Sequence, residues 1–155
     1  MPQTTAETPP APTNTGPTDT APADTAPAPS PYDRLGGAAA ITAIVERFYD
    51  LMESEPAFAP LRAMHAPDLA PMRVSLAGFL TGWAGGPRDW FTANPGRCMM
   101  SMHKPFAITH DTAGQWAAAM RRAIEDAEAA GAIADPQISK ALAGVLEEMA
   151  LGMGR

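Results

Sequence analysis

The sequence predicts an all-α fold with one domain. Four stretches carry apolar residues three and four positions apart, which is the spacing of a helix with one buried face. Glycine and proline residues separate these stretches, and no segment alternates apolar and polar residues as a half-buried strand would. The length of 155 residues favours one domain.

The first 31 residues do not fit the predicted domain. Met1 to Pro31 is rich in Pro, Thr and Ala, and it contains no Leu, Ile, Val, Phe, Trp or Tyr. Because such a segment cannot bury enough apolar surface to offset the entropy lost on folding, we predict a disordered tail, partly in the polyproline II conformation. It also lacks the basic start and apolar run of a secretory signal. The folded domain is therefore expected to span residues 32–155.

Charge and composition exclude several classes of partner. The net charge of −6 argues against nucleic acid, since binding phosphates requires a basic face. No apolar run approaches the roughly 20 residues of a membrane span. The single cysteine, Cys98, cannot form an intramolecular disulfide, which fits a reducing compartment and predicts a cytoplasmic protein. Cys98 itself is expected to have a structural role, because free cysteine usually packs as a small hydrophobe.

The first long helix follows a glycine pair. Tyr32-Asp33-Arg34-Leu35-Gly36-Gly37 opens the domain, and the two glycines permit a turn that other residues resist. From Ala38 the apolar spacing is helical, at Ile41, Ile44, Val45, Phe48, Tyr49 and Met52. Tyr49 lies on this buried stripe, where its hydroxyl needs a partner. The residues alone leave open a structural bond to a backbone carbonyl and a functional role.

A second long helix follows a compact connection. Pro56 to His65 is expected to form short helical turns. The next helical stripe stops at Gly85-Gly86-Pro87, which combines flexible residues with a proline; it consists of Leu69, Met72, Leu76, Phe79, Leu80 and Trp83. Residues 88–97 are predicted to be a loop in which Trp90 and Phe91 anchor the chain to the core.

His103 is predicted to end a short helix. Pro105 stands two residues later and limits a helix to the residues before it. The neighbouring side chains are mostly methionine and other apolar residues, so the imidazole is expected to face an apolar space. A neutral imidazole in such a space is a good axial ligand for a haem iron. The alternative is an ordinary hydrogen-bonded histidine at a helix end.

Two further helices complete the prediction. Thr109-His110-Asp111 offers capping residues for the first, whose buried side is Trp116, Ala119, Met120, Ala123, Ile124 and Ala127. Asp135-Pro136 caps and starts the last, whose stripe is Ile138, Leu142, Val145, Leu146, Met149 and Met153. The sequence shows neither zinc-ligand spacing, nor paired Glu-x-x-His motifs, nor a glycine-rich phosphate loop.

Six motifs carry a resemblance to a known family. They are Tyr32-Asp33-Arg34-Leu35-Gly36-Gly37, Arg47-Phe48-Tyr49, His65-Ala66-Pro67-Asp68-Leu69, Phe79-Leu80 with Trp83 and Gly85-Gly86-Pro87, His103-Lys104-Pro105-Phe106 with Ile108, and Gln115-Trp116 with Met120. In this order and at this spacing they resemble the truncated haemoglobins, and within them the group II branch. The resemblance covers about Tyr32 to Leu151.

The resemblance implies a truncated globin fold, a two-over-two helical sandwich around haem b. His103 would be the proximal iron ligand. Tyr49 would donate a hydrogen bond to a ligand on the distal side, and Trp116 would donate to the same ligand or gate access to it. Other residues expected to contact the cofactor are Phe48, His65, Met72, Leu76, Phe79 and Phe106. For His65 the alternative is a solvent-facing loop residue, with Met64 taking the distal place.

The implied function is binding of dioxygen or another diatomic ligand, such as NO or CO. Nitric oxide dioxygenase or peroxidase-like chemistry would need a reductase partner or a peroxide substrate. A homodimer is a possible oligomeric state. Relatives usually carry basic residues just before the proximal histidine to meet the haem propionates, whereas this chain has Met100, Ser101 and Met102. Arg97 or Lys104 could substitute for them. This departure keeps a second hypothesis open, a haemless helical interaction module that retains the globin fold.

Overall fold

A computed structural model describes residues 27–155 of the chain. Its helices in this range are α1 (Pro31–Leu35), α2 (Gly37–Ser54), α3 (Ala59–Ala63), α4 (Ala70–Trp83), α5 (Asp89–Ala93), α6 (Met99–His103), α7 (His110–Ala129) and α8 (Pro136–Leu151), and a 3-10 turn spans Pro56–Phe58. These residues contain no β-strand, so the all-α prediction is confirmed. Most of the predicted tail, residues 1–26, lies outside the described residues.

A short helix that was not predicted, α1, precedes the glycine pair. Ser30 caps α1, because its hydroxyl accepts the backbone N–H of Asp33 at 3.2 Å while the Asp33 carboxylate accepts the N–H of Ser30 at 3.3 Å. Pro31 suits the first helical position, where a backbone N–H would have no partner in the helix. The predicted tail ended at Pro31 and therefore included two residues, Ser30 and Pro31, that belong to the start of α1.

Two helix pairs form the body of the fold. Helix α2 packs against α4, α7 packs against α8, and the contact between α2 and α7 joins the pairs. The core follows the predicted stripes and includes Ile41, Ile44, Phe48, Tyr49, Leu80, Met120, Ile124 and Leu146. Burying a side chain of this size stabilises the fold by about 1.5–3 kcal/mol. No helix within residues 27–155 is long and apolar enough to cross a bilayer.

The loop predicted over residues 88–97 contains a helix, α5. Its aromatic residues pack on α4, where the Phe79 ring centre lies 5.4 Å from that of Trp90 and 5.6 Å from that of Phe91. Gly82 makes room for this contact, since a Cβ there would lie 2.6 Å from the Phe91 ring. A helix this short is not stable alone, so it depends on tertiary packing that the local sequence does not reveal.

The ends of the later helices agree with the sequence. Helix α6 ends at His103, as Pro105 predicts. Thr109 caps α7, and Asp135 caps α8 with Pro136 in its first turn. Cys98 has a structural role as predicted, but not as a packed hydrophobe. It is exposed, and its Sγ accepts the Ser101 backbone N–H at 3.4 Å to cap α6.

Candidate functional site

A cavity of about 420 Å³ lies between the helices. Its walls are mostly apolar and come from every helix between α2 and α8. The few polar side chains on the walls are those of Tyr49, His65, Ser75, Trp90, His103, Thr112 and Trp116. An apolar cavity of this size with a few converging polar groups is typical of a binding site for a small organic ligand or a cofactor.

The His103 ring is oriented by a hydrogen bond within its own helix. Its Nδ1 lies 2.7 Å from the carbonyl oxygen of Met99, one helical turn earlier. A carbonyl oxygen can only accept, so Nδ1 carries the hydrogen and the neutral ring keeps its lone pair on Nε2. Within residues 27–155, Nε2 has no hydrogen-bond partner, and the side chain lines the cavity. This arrangement is typical of a histidine that binds a metal through Nε2.

Tyr49 supplies a hydroxyl to the same cavity. The residue is only 2% exposed, and among the described residues its hydroxyl has no hydrogen-bond partner. Burial raises the pKa of Tyr49 to about 12, although the nearby positive charge of Arg73 acts in the opposite direction. The hydroxyl therefore keeps its proton at neutral pH and can donate a hydrogen bond to a ligand.

Trp116 provides a second potential donor. It lines the cavity from α7, and its indole N–H makes no hydrogen bond to any residue in the range 27–155. Phe48 lies behind both donors, with ring centres 5.2 Å from Trp116 and 4.9 Å from Tyr49. Phe48 itself is fully buried and does not line the cavity. Phe48 therefore packs behind the rings of the two donors and supports them, whereas the sequence predicted that Phe48 contacts the cofactor.

His65 lies beside the donor pair. The ring lines the cavity and is half-buried, so the alternative of a solvent-facing loop residue is not observed. Its Nδ1 is 2.9 Å from the carbonyl oxygen of Leu61, and its ring centre is 6.2 Å from that of Tyr49. Met64, the alternative occupant, lines the cavity as well.

The remaining predicted contact residues all reach the cavity. Met72, Leu76 and Phe79 line it from α4, and Phe106 lines it beyond the end of α6. Phe106 is half exposed, with its ring centre 6.4 Å from that of His103.

The sequence did not reveal three polar residues of the walls. The Trp90 indole N–H donates to the Ser75 hydroxyl at 3.1 Å, which ties α5 to α4 at the edge of the cavity. Thr112 reaches the walls from the first turn of α7. Ser75, which follows the exposed Val74 in α4, belongs to no sequence motif. Only its contact with Trp90 of α5 identifies it as a polar residue of the cavity wall. No Lys or Arg side chain lines the cavity within residues 27–155.

An all-α chain with a histidine and two hydrogen-bond donors around one apolar cavity has the architecture of a globin. Residues 30–151 match the family model described as bacterial-like globin. The chain therefore belongs to the bacterial-like globin family.

Solved structures agree with this assignment. The cold-adapted truncated hemoglobin from the Antarctic marine bacterium Pseudoalteromonas haloplanktis TAC125 is 30% identical, with a TM-score of 0.74 over 82% of this chain and 98% of that one. The group II 2-on-2 hemoglobin from Agrobacterium tumefaciens is 25% identical, with a TM-score of 0.76 over 85% and 98%. The truncated oxygen-avid haemoglobin from Bacillus subtilis is 27% identical, with a TM-score of 0.68 over 82% and 100%. The predicted likeness to group II truncated haemoglobins is confirmed.

Membership of this family implies a haem cofactor, and the residues of the cavity fit that group. The apolar walls suit the faces of a porphyrin, and the Nε2 lone pair of His103 suits its iron. The hydroxyl of Tyr49 and the indole of Trp116 lack partners among residues 27–155. They are therefore available to a ligand in the same space.

Proposed function

We propose that this chain binds haem b with Nε2 of His103 as the axial ligand, and that it binds dioxygen or another diatomic ligand such as NO or CO. The observation that carries the proposal is the 2.7 Å bond between His103 Nδ1 and the Met99 carbonyl oxygen. That bond fixes the tautomer that leaves Nε2 unprotonated within an apolar cavity. When bound, the haem supplies the iron site for the ligand.

Tyr49 and Trp116 are the proposed ligand-holding residues. A diatomic ligand that gains negative charge on binding is stabilised by buried donors, which act strongly where water is excluded. The Tyr49 hydroxyl is suited to this role because it is a buried donor that lines the cavity, and burial raises its pKa to about 12, so it stays protonated even in alkaline solution. The likeness to a Bacillus subtilis protein described as oxygen-avid supports the same role.

Two donors at one site slow the release of a ligand. Slow release favours sensing or redox chemistry over bulk oxygen delivery. Nitric oxide or peroxide chemistry would need a reductase partner or a peroxide substrate. Turnover by the purified protein with a reductase, compared with free hemin under the same conditions, tests that extension separately from binding.

The proposal is tested by titrating hemin into the purified protein and recording the absorption spectrum. The wild type is expected to give a sharp Soret band, and His103→Ala a weakened or shifted one. His110→Ala is the matched control, because His110 is an exposed histidine at the start of α7 that does not line the cavity. A Soret band equally affected in both variants would contradict axial ligation by His103.

Absence of a Soret band in the wild type, even after reconstitution, would overturn the haem proposal. The haemless helical interaction module would then replace it.

A further inference from the structure

Methionine is concentrated around the cavity. Six of the nine methionines in residues 27–155 line it, namely Met64, Met72, Met99, Met102, Met149 and Met153. They come from the end of α3 and from α4, α6 and the end of α8, so their clustering arises only in the folded structure. Each of the six is partly exposed or exposed.

The other methionines in the described residues lie in different environments. Met52 and Met120 are buried in the hydrophobic core. Met100 is 62% exposed on the surface and does not line the cavity. The methionines of residues 27–155 therefore fall into three classes: buried in the core, exposed on the surface, and gathered around one cavity.

The thioether of methionine reacts with peroxides. A lone pair on sulfur attacks one peroxide oxygen, the O–O bond breaks, an S–O bond forms, and water leaves. Sulfur loses two electrons and the peroxide gains two. The product, methionine sulfoxide, is polar and chiral, and methionine sulfoxide reductases convert it back.

We propose that the six cavity methionines form a site of reversible oxidative modification, at which hydrogen peroxide converts their thioethers to sulfoxides and lowers the affinity of the cavity for its apolar ligand. The inference rests on the proposed function in taking that ligand to be haem. An apolar wall favours contact with the flat face of a porphyrin, whereas a polar sulfoxide oxygen held against that face loses the hydrogen bonds it makes to water.

Two of the six methionines lie next to the proposed axial ligand. Met102 precedes His103 in the chain, and the carbonyl of Met99 orients the His103 ring. Helix α6 has only five residues, so a change in how these side chains pack alters the support of the histidine as well as the wall. Oxidation is therefore expected to act on both the wall and the axial contact.

The test uses the full-length chain, oxidised with dilute hydrogen peroxide with and without bound hemin. Catalase then removes the peroxide, and fresh hemin is titrated against the hemin-free sample, so that bleaching of haem does not enter the measurement. Peptide mass mapping identifies each methionine that has gained an oxygen atom. Met100→Leu is the matched control, and a variant with Leu at all six cavity positions removes the proposed site. Leucine and methionine have similar volumes, so these changes conserve packing.

In the wild type we expect oxygen on cavity methionines, none on Met52 or Met120, and a loss of hemin affinity of about tenfold or more, by analogy with burying a polar group in an apolar wall. Met100→Leu should behave like the wild type, whereas the sixfold variant should have the same hemin affinity before and after treatment, whatever its starting value. A threefold variant with Met72→Leu, Met149→Leu and Met153→Leu should lose less hemin affinity on treatment than the wild type. This variant replaces the sixfold one if the sixfold variant does not fold.

Oxygen confined to Met100, or cavity sulfoxides with unchanged hemin affinity, would overturn the inference. If the untreated protein binds no hemin, the proposed function fails, and the inference is then decided by the mass map together with binding of anilinonaphthalenesulfonate, an apolar dye. Weaker dye binding after oxidation, in the wild type but not in the sixfold variant, would support it. An equal loss of dye binding in the wild type and the sixfold variant, or no loss in the wild type, would refute the inference.

Discussion

The guanidinium of Arg73 lies 5.7 Å from the centre of the Tyr49 ring. The same group donates to the Glu46 carboxylate at 2.7 Å and to the Asp50 carboxylate at 2.9 Å. Glu46 and Asp50 stand on either side of Tyr49 in α2, whereas Arg73 belongs to α4. The Arg73 side chain thus links α4 to α2, the helix that carries the proposed ligand-binding hydroxyl of Tyr49.

Removing the Tyr49 hydroxyl should accelerate ligand release. Tyr49→Phe deletes one buried donor and keeps the ring, and a hydrogen bond to a charged group contributes about 1.5–3 kcal/mol, so dissociation should be roughly ten- to hundredfold faster. Stopped-flow displacement of dioxygen by carbon monoxide measures the rate, in protein loaded with hemin and then reduced with dithionite to the ferrous state. Tyr32→Phe is the control, since Tyr32 lies outside the cavity. An unchanged rate in Tyr49→Phe would remove Tyr49 from the ligand site.

Arg73→Gln should act on ligand release through Tyr49. The change removes both carboxylate contacts and the cation beside the ring, so the hydroxyl loses its fixed position. We expect faster dissociation in Arg73→Gln, little further change in the Tyr49→Phe background, and partial recovery in Arg73→Lys.

The Arg73 prediction has a matched control on the same chain. Arg34→Gln removes another ion pair between distant segments, Arg34 with Asp135 at 2.7 Å, and should leave the release rate unchanged. Equal effects of Arg73→Gln with and without the Tyr49 hydroxyl would show that Arg73 acts by another route.

Tyr49 should make stability fall at alkaline pH. Burial raises its pKa from 10.0 to about 12, so between these values the unfolded chain loses the Tyr49 proton while the folded chain keeps it. The unfolded state then binds fewer protons, and the free energy of unfolding decreases as pH rises, by up to about 1.4 kcal/mol per pH unit from this group.

Urea unfolding of the wild type and of Tyr49→Phe across this pH range measures the alkaline effect. The difference between the two proteins cancels the other groups that titrate there. The wild type should lose more stability than Tyr49→Phe, and parallel curves would contradict the raised pKa.

Gly82→Ala should destabilise the fold and detach α5. A Cβ at this position would meet the Phe91 ring at 2.6 Å, so the ring or the helix must move, at a cost of about 1–3 kcal/mol. Gly114→Ala in α7 is the control, because a Cβ there meets nothing within 4 Å and should stabilise the helix by about 0.5–1 kcal/mol. Denaturant unfolding with tryptophan fluorescence measures both. Equal stability of the two variants would contradict the close packing of α5 on α4.

The sequence predicted features that depend on local patterns. Proline two residues after His103 indicated where α6 ends, and the apolar stripes indicated the long helices and most of the core. The same stripes placed Tyr49 on a buried face, although only the structure shows its hydroxyl without a partner among residues 27–155. The roles of these residues toward haem stay predictions.

Features that depend on distant packing were not predictable. Helix α5 exists because its aromatic rings find Phe79 and the space at Gly82 on another helix. Phe48 and Tyr49 are adjacent in α2, yet Phe48 packs behind the donors and Tyr49 faces the cavity. The apolar spacing of the sequence places both on the buried side of the helix and does not distinguish their directions. The clustering of methionines likewise requires α4, α6 and α8 to converge.

The bond that orients His103 joins two residues of a single helical turn. The direction of the proposed axial nitrogen therefore depends on a hydrogen bond within the five-residue helix α6, and not on the walls that α4, α7 and α8 supply. Substitutions on α4, α7 or α8 can alter the size and polarity of the cavity without turning the ring. Wall chemistry and axial geometry are thus separately adjustable in this fold.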